Sequence, residues 1–237
     1  MKIVIPMAGE RSRFKKAGYT FPKPLIDVEG SPMIERVVNN FSQFDADFIF
    51  LVRKEHLLKY NVDTLLRTVT KNRCEIIPVD ELTEGAACTV LLAKDLINSG
   101  ESLLIANSDQ LLEYRFENFQ LMRNFTDGFT DFIWTFNATN PKWSFVRTDN
   151  TGRILEVAEK NPISNIATCG VYYWEQGSAF VSCVREMIAN NTRVNGEFYV
   201  CPVHNVAIAR GRKVYPFYVD KMWGLGTPED LEAYLNR

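Results

Sequence analysis

An α/β domain built on a mixed, mostly parallel sheet is the fold class this sequence predicts, and three observations carry it. Through roughly the first 110 residues, short apolar runs rich in β-branched side chains alternate with segments whose apolar residues recur at helical spacing. Beyond that point several strand-like runs follow one another across short turns, which favours antiparallel or mixed pairing. The composition, 46% hydrophobic and 24% charged over 237 residues, suits a chain that buries a substantial core.

Taken in order, Ile3–Ile5 reads as a buried parallel strand, β-branched throughout. Ser31-Pro32 reads as an N-cap followed by proline at the first helical position. Behind it Met33, Ile34, Val37, Val38 and Phe41 share one helical face. Phe48–Val52 is the second expected strand, about Leu57–Val69 the next expected helix, and Cys74–Pro78 the third strand. A helix is expected over Glu84–Ile97, with Ala87, Val90, Leu91 and Ala93 inward, and a fourth strand over Ser102–Ala106. In the second half, Phe116–Phe125 reads as a short helix. Phe129–Phe136, Ser144–Arg147, Ile154–Val157 and Cys169–Trp174 read as strands, with a turn at Asp149–Gly152. Helices are expected at Ser178–Ala189 and Val203–Ala209, and a strand at Lys213–Val219. Thr227 is the expected cap of the last helix, with Pro228 at its first position and Glu229 and Asp230 in its positive first turn. No repeat, low-complexity tract or linker interrupts this order, so one domain over residues 1–237 is expected.

A net charge of −2 gives no general attraction to nucleic acid or to an anionic membrane, so any phosphate binding must be local. Cys74, Cys88, Cys169, Cys183 and Cys201 are odd in number, widely spaced and free of C-x-x-C pairs, which reads as reduced thiols. The opening apolar run is too short for a signal peptide, and no stretch has membrane-spanning length. A cytoplasmic protein is the expectation, with a homo-oligomer left open.

The most informative stretch comes first. Ile3–Ile5 runs into Pro6-Met7-Ala8-Gly9-Glu10-Arg11-Ser12-Arg13-Phe14, and Phe21-Pro22-Lys23-Pro24-Leu25 follows. A buried strand that ends in a small-residue loop with nearby cations is a phosphate-binding arrangement. Ala8, Gly9 and Ser12 are small enough to let a triphosphate approach the backbone. Arg13 can stabilise charge on a transferring phosphorus. Lys23, between two prolines, starts from a fixed backbone and loses less freedom on engaging phosphate. The plainer reading is a common turn and a solvated basic loop.

These two segments resemble the opening of the sugar-nucleotide pyrophosphorylases of the nucleotidyltransferase family, whose pattern runs G-x-G-[ST]-R-[FLM] and then P-K-P-[LM]. The resemblance implies a Rossmann-like, GT-A-like three-layer sandwich. It also implies transfer of a nucleoside monophosphate from an NTP to a phosphorylated acceptor, with release of pyrophosphate. About residues 1–110 would handle the nucleotide and about 111–237 the acceptor. Ala8, Gly9, Glu10, Arg11 and Ser12 would then line the nucleotide, and Arg13 and Lys23 would be catalytic. The pattern's second glycine is Arg11 here, so either the loop is reshaped or Arg11 adds a cation at the phosphates.

Later segments extend the resemblance. Asp80-Glu-Leu-Thr-Glu-Gly85-Ala86 is similar to the family's base-reading segment, which implies nucleobase contacts at Gly85 and Ala86, with Asp80 in the glutamine's place. An ionised carboxylate only accepts hydrogen bonds, which favours an amino-bearing base and hence CTP. Asp80 reads equally well as the residue that turns the chain into the helix. In Leu104-Ile-Ala-Asn-Ser108-Asp109 an apolar strand ends in a carboxylate that resembles the family's metal ligand. This implies Mg²⁺ at Asp109, with Ser108 beside the nucleotide. A second acid is expected in a D-x-G-T segment, where this chain has Gly224-Leu225-Gly226-Thr227. Asp220 is the nearest replacement.

Glu159-Lys160-Asn161-Pro162 resembles the family's E-K-P segment, which implies that Glu159 orients the acceptor and Lys160 binds its phosphate. Gly170, and Glu197 and Tyr199 in Asn195–Tyr199, would line the same pocket. The implied partners are an NTP, CTP favoured, and a phosphorylated small molecule, first of all a sugar 1-phosphate. A polyol or amino-acid-derived phosphate used for surface polysaccharide is the alternative. A glycosyltransferase of related fold and a non-catalytic nucleotide-binding domain are the competing classes. The former normally uses D-x-D, and Asn107-Ser108-Asp109 lacks its first acid.

Overall fold

The computed structural model describes residues 1–9, 12–126 and 129–237, and of Ser12 the backbone alone. The first strand, β1 (Lys2–Met7), extends one residue before and two beyond its β-branched centre. After it come α1 (Ser12–Lys16) and a single 3₁₀ turn at Lys23–Leu25. β2 (Asp27–Val28) and β3 (Ser31–Pro32) form a tight hairpin through Glu29 and Gly30, both at positive φ (53° and 85°), the geometry that suits a two-residue turn. Ser31-Pro32 is therefore strand, not helix cap. The helix α2 (Met33–Asn39) starts at Met33, whose N–H donates to the Ile26 carbonyl at 2.8 Å, a partner local sequence does not disclose. β4 (Asp47–Arg53) follows. The expected helix to Val69 is two helices, α3 (Lys54–Tyr60) and α4 (Val62–Val69), because Asn61 is left-handed (φ 48°, ψ 43°). After β5 (Cys74–Val79), α5 (Ala86–Leu91) starts two residues later than expected: Gly85 has φ 132°, and the Glu84 carbonyl accepts from Phe198 N–H. A break at Leu92–Ala93 separates α6 (Lys94–Ile97) from it, and β6 (Leu103–Ala106) follows.

β7 (Gln110–Glu113) lies where the sequence predicts no strand. Then come α7 (Phe116–Asn124), β8 (Thr130–Asn137), β9 (Ser144–Thr148), β10 (Ile154–Glu159) and β11 (Ile166–Trp174). The chain ends with α8 (Gly177–Ala189), α9 (Val203–Ala209), β12 (Lys213–Tyr218), β13 (Lys221–Gly224) and α10 (Pro228–Leu235). The Thr227 hydroxyl accepts from Asp230 N–H at 3.2 Å, the cap the sequence predicts.

The main sheet runs β10-β9-β11-β6-β1-β4-β5, with β8 and β12 joined through β11. β6, β1, β4 and β5 are parallel, whereas β11 is antiparallel to β6, β8 and β9. Alternation along β1 sends Ile3, Ile5 and Met7 into the core under α2, α4, α7 and α10, and Val4 into the core under α5, α6, α8 and α9. Helices cover both faces, giving three layers. β7 and β13 pair outside this sheet, bringing Gln110 opposite Gly224. Two side-chain bonds from α2's end hold β7: Asn40 Nδ2 donates to the Gln110 carbonyl at 2.8 Å, and Leu112 N–H donates to Asn40 Oδ1 at 3.1 Å. The five cysteines are free. Among the described residues no helix is long and apolar enough to cross a membrane.

Asp131 in β8 is fully buried and takes two bonds from Arg212, at 2.6 and 2.8 Å, plus the Glu175 N–H at 2.9 Å. Removing the cation would strand a charge. Arg212→Met is expected to lower stability by about 3–5 kcal/mol in urea unfolding. Arg147→Met, which opens an exposed pair with Glu156, is expected to cost less than about 1 kcal/mol.

Candidate active site

The parallel strands β1 and β6 end at the same sheet edge, where ligands of α/β folds collect. Beside them β11 is shared: Val171–Trp174 pair with β6, whereas Ala167 pairs with β9. The gap between β6 and β9 is the floor of a cleft of about 370 Å³. Arg13, Lys23, Asp109, Glu159, Lys160 and Gly170 line it, so six of the residues singled out in the sequence meet in one place.

On the phosphate side Ala8 is buried in the core beneath α5, while Gly9 is exposed and a Cβ there would meet nothing within 4 Å. Packing does not demand that glycine, and the space beside it is open. Ser12 is the first residue of α1, and Glu10 and Arg11 lie outside the described residues. Pro22 is extended (φ −55°, ψ 146°), as a residue before a constrained turn should be, and Pro24 is buried, so the Lys23 backbone is anchored on both sides. Lys23 Nζ forms an ion pair with Asp109 Oδ2 at 2.5 Å, both side chains mostly buried. Arg13 lines the cleft together with Thr227 and Asp230 of the α10 N-terminus. The Glu229 carboxyl there lies below its ordinary value, held by its own backbone N–H and the Thr227 hydroxyl, with a further contribution from the Arg13 charge.

Asp109 is fixed by the Leu225 N–H, which donates to its carbonyl at 2.7 Å. Its neighbour Ser108 is buried and does not line the cleft. The second carboxylate is not where the sequence expectation put it. Asp220 is exposed, its N–H bonded to the Glu113 carbonyl at the far end of β13, about 13 Å along the strand from Gly224. At Gly224 itself a Cβ would stand 2.6 Å from Trp143 Cη2, so the indole closes the place an acid would take. Among the described residues no group of three or more His, Cys, Asp or Glu side chains could hold a metal. The donor set still fits Mg²⁺ in one form: a single carboxylate, Asp109, completed by phosphates and water.

The residues expected to read the base do not line this cleft. Asp80 is exposed and paired with Lys54 at 2.9 Å. Gly85 is buried, and a Cβ on it would come within 2.4 Å of the Phe198 carbonyl oxygen; packing alone requires glycine there. Ala86 is half-buried at the start of α5.

On the acceptor side, Ser144 Oγ donates to Glu159 Oε2. Burial pushes the Glu159 carboxyl above its ordinary value; the Ser144 bond and the Lys160 charge act against that, and the nearby Glu197 adds to it. Glu197 itself is exposed. Lys160 sits at positive φ (54°), uncommon for a residue with a side chain, and its Nζ donates to the Tyr199 hydroxyl at 2.6 Å. Gly170 (φ 70°) has no room for a Cβ, which would stand 2.3 Å from Asn107 Nδ2.

Several cleft residues escape the sequence reading: Asn107, Gln110, Lys142, Trp143, Ser144 and Asp230. Lys142 Nζ pairs with Asp230 Oδ1 at 2.6 Å, across 88 residues. An aromatic residue after Pro141-Lys142, just ahead of an expected strand, was the available signal for Trp143. None existed for Gln110, whose strand was not foreseen.

The nucleotidyl transferase family model matches residues 2–234. The chain is 28% identical over 179 residues to the bifunctional protein GlmU of Methanococcus aeolicus, covering 74% of this chain and 40% of that protein. It is 27% identical over 182 residues to mannose-1-phosphate guanylyltransferase 1 of Arabidopsis thaliana, covering 73% of this chain and 49% of that protein. The chain thus spans less than half the length of these curated relatives. Among solved structures, a nucleoside-diphosphate-sugar pyrophosphorylase from Vibrio cholerae RC9 superposes with a TM-score of 0.85 at 27% identity, over 99% of this chain and 100% of that one. The inositol-1-phosphate CTP transferase from T. maritima shares the fold, with a TM-score of 0.75 at 14% identity, over 100% of this chain and 96% of that one.

Glu159 is expected to make stability depend on pH. Its folded-state carboxyl titrates above the ordinary 4.5, so the folded chain binds more protons than the unfolded chain between those two values. Stability is therefore expected to fall as pH rises through that window and to level off above it. Glu159→Gln should lack this component, so urea midpoints taken from about pH 4 to about pH 8 should decline less steeply in the variant. Parallel profiles would remove Glu159 as the source.

Proposed function

This chain belongs to the nucleotidyl transferase family, and from that premise we propose that it transfers a nucleoside monophosphate from an NTP to a phosphorylated small molecule, releasing pyrophosphate. The observation that carries this reading is one cleft at the ends of β1 and β6 lined, among the described residues, by the cations Arg13, Lys23, Lys142 and Lys160 and by the carboxylates Asp109, Glu159 and Asp230. Two anionic reactants need such a balance, and little covalent work is left for the protein.

In this reading Gly9, with open space beside it, lets the triphosphate approach the backbone. Lys23 exchanges its Asp109 partner for a phosphate oxygen, and Arg13 faces the charge that builds during transfer. Lys160, already bonded to Tyr199, and Lys142 hold the acceptor phosphate. An oxygen of that phosphate, ionised at neutral pH, attacks the α-phosphorus in line, and the bond to the leaving pyrophosphate breaks. No general base is required. Mg²⁺ at Asp109, when bound, would draw negative charge off the phosphates. Glu159 and Ser144 face the body of the acceptor. A sugar 1-phosphate is the acceptor class to test first, with a polyol or amino-acid-derived phosphate as the alternative. CTP is the NTP to test first, because Asp80, five residues before Gly85, offers acceptors only; its carboxylate is paired with Lys54 and would have to exchange that partner for the base.

Pyrophosphate release across a matrix of NTPs and phosphorylated acceptors tests this proposal, with release expected only when both substrates are present and fastest with CTP. No release across a broad panel would overturn it. Lys23→Ala is expected to slow turnover about 10²- to 10³-fold while the far-ultraviolet circular dichroism spectrum stays that of the folded wild type. Near-normal turnover would remove Lys23 from the chemistry.

A further inference from the structure

Gln110 opens β7 at the cleft wall, only 7% exposed, and its side-chain oxygen Oε1 has no hydrogen-bond partner among the described residues. Its backbone is committed: the carbonyl accepts from Asn40, and the residue pairs with Gly224 across to β13. The Cα is therefore held at the wall, and the carboxamide lines the cleft from there. A buried acceptor with no donor is unusual in a folded protein and calls for a cause. The oxygen lies near Gly170 on the cleft floor, 2.9 Å from where a Cβ on that glycine would be. Nothing bonds it there, and the terminal torsion of a glutamine is broad, so turning the oxygen toward an entering donor breaks no bond.

We propose that Gln110 is a specificity-determining residue for the phosphorylated acceptor, its Oε1 accepting a hydrogen bond from a hydroxyl on the acceptor's carbon skeleton. This rests on the nucleotidyl-transfer reading and narrows it to a hydroxyl-bearing acceptor, a sugar or polyol phosphate. The position is right for that role. Asp109 precedes Gln110 directly, and Glu159 and Lys160 line the same cleft, so a molecule whose phosphate meets Lys160 presents its skeleton to this wall. A site that hydrogen-bonds a substrate hydroxyl rejects the analogue lacking it strongly, because the site's own polar group is then left buried and unpaired.

The test is pyrophosphate release by the full chain with CTP and glucose 1-phosphate, mannose 1-phosphate or glycerol 3-phosphate, in wild type, Gln110→Met and Gln110→Glu. Methionine keeps the shape and removes the acceptor oxygen; glutamate keeps the oxygen. Gln110→Met is expected to lower kcat/KM for the acceptor about 10- to 100-fold while leaving KM for CTP within about twofold, and Gln110→Glu to retain more activity than Gln110→Met. One monodeoxy analogue of the best acceptor should be as poor for wild type as the parent compound is for Gln110→Met, with no further loss when both changes are combined. Unchanged acceptor kinetics in Gln110→Met, or equal losses for acceptor and CTP, would overturn the proposal. So would additive losses in the combined experiment. If Gln110→Met does not fold, the monodeoxy series on wild type and Gln110→Glu decides, and a flat response overturns the proposal. Absence of pyrophosphate from wild type is failure of the parent reading instead. In that case calorimetric titration with the same three phosphates decides: weaker binding by Gln110→Met supports the contact, and equal binding or none by wild type overturns it.

Discussion

At Gly170 the strand β11 leaves the regular ladder: φ is 70°, and the carbonyl accepts the Asn107 N–H at 2.9 Å as the last link to β6. The Asn107 side chain packs where a Cβ at 170 would stand. Beyond this point β11 follows β9 on that edge, and the β9–β10 hairpin brings Glu159 and Lys160 to the cleft. On the other side of the break, the chain leaving β6 carries Asp109 and Gln110 to the same cleft. A side chain at 170 would be strained at this φ and would have to displace the side chains of Asn107 and Gln110, which line the cleft, so the wall as it stands depends on a missing methyl group.

Around that opening the charges are already matched to one another. Lys23 is paired with Asp109, Lys142 with Asp230, and Lys160 with the Tyr199 hydroxyl. Paired side chains have surrendered much of their rotamer freedom before a ligand arrives, so exchanging a carboxylate for a phosphate costs less ordering. Near Asp109, an indole occupies the place where the sequence expectation looked for a second acid. Trp143 lies on Gly224 and also meets Phe136 edge-on and the Lys142 ammonium at 4.7 Å. An acid at 224 would add negative charge where an indole now supplies an apolar wall.

The sequence disclosed what local chemistry controls. β-branched runs became β1, β4 and β5, the helical face of Met33–Val38 packs as its spacing indicates, and the Thr227 cap sits where its residue type belongs. The cations Arg13 and Lys23 and the carboxylates Asp109 and Glu159 converge because the strands that precede or carry them end at one sheet edge. What escaped depends on partners far along the chain. Ser31 looks like a helix cap, but the Ile26 carbonyl takes the Met33 N–H instead. β7 and β13 are four residues each, too short for a readable alternation, and their pairing spans more than a hundred residues. Asp220 was near Gly224 in sequence only, because an extended strand carries successive residues away at about 3.3 Å each.

Gly85 shows how a motif glycine acquires two meanings. Its sequence context points to a nucleobase, yet its burial and its φ of 132° are demanded by the Phe198 backbone: Phe198 N–H donates to the Glu84 carbonyl, and Ala87 N–H donates to the Phe198 carbonyl. Phe198 is set by a tight turn at Asn195 and Gly196, both at positive φ, closed by Val194 against Glu197. The next residue, Tyr199, bonds Lys160. Two consecutive residues thus fix the start of α5 and the acceptor-side lysine together. The Phe198 end of this link is made by backbone hydrogen bonds and the Tyr199 end by a single side-chain bond, so the turn at Asn195 and Gly196 ties the start of α5 to Lys160 at the edge of the cleft.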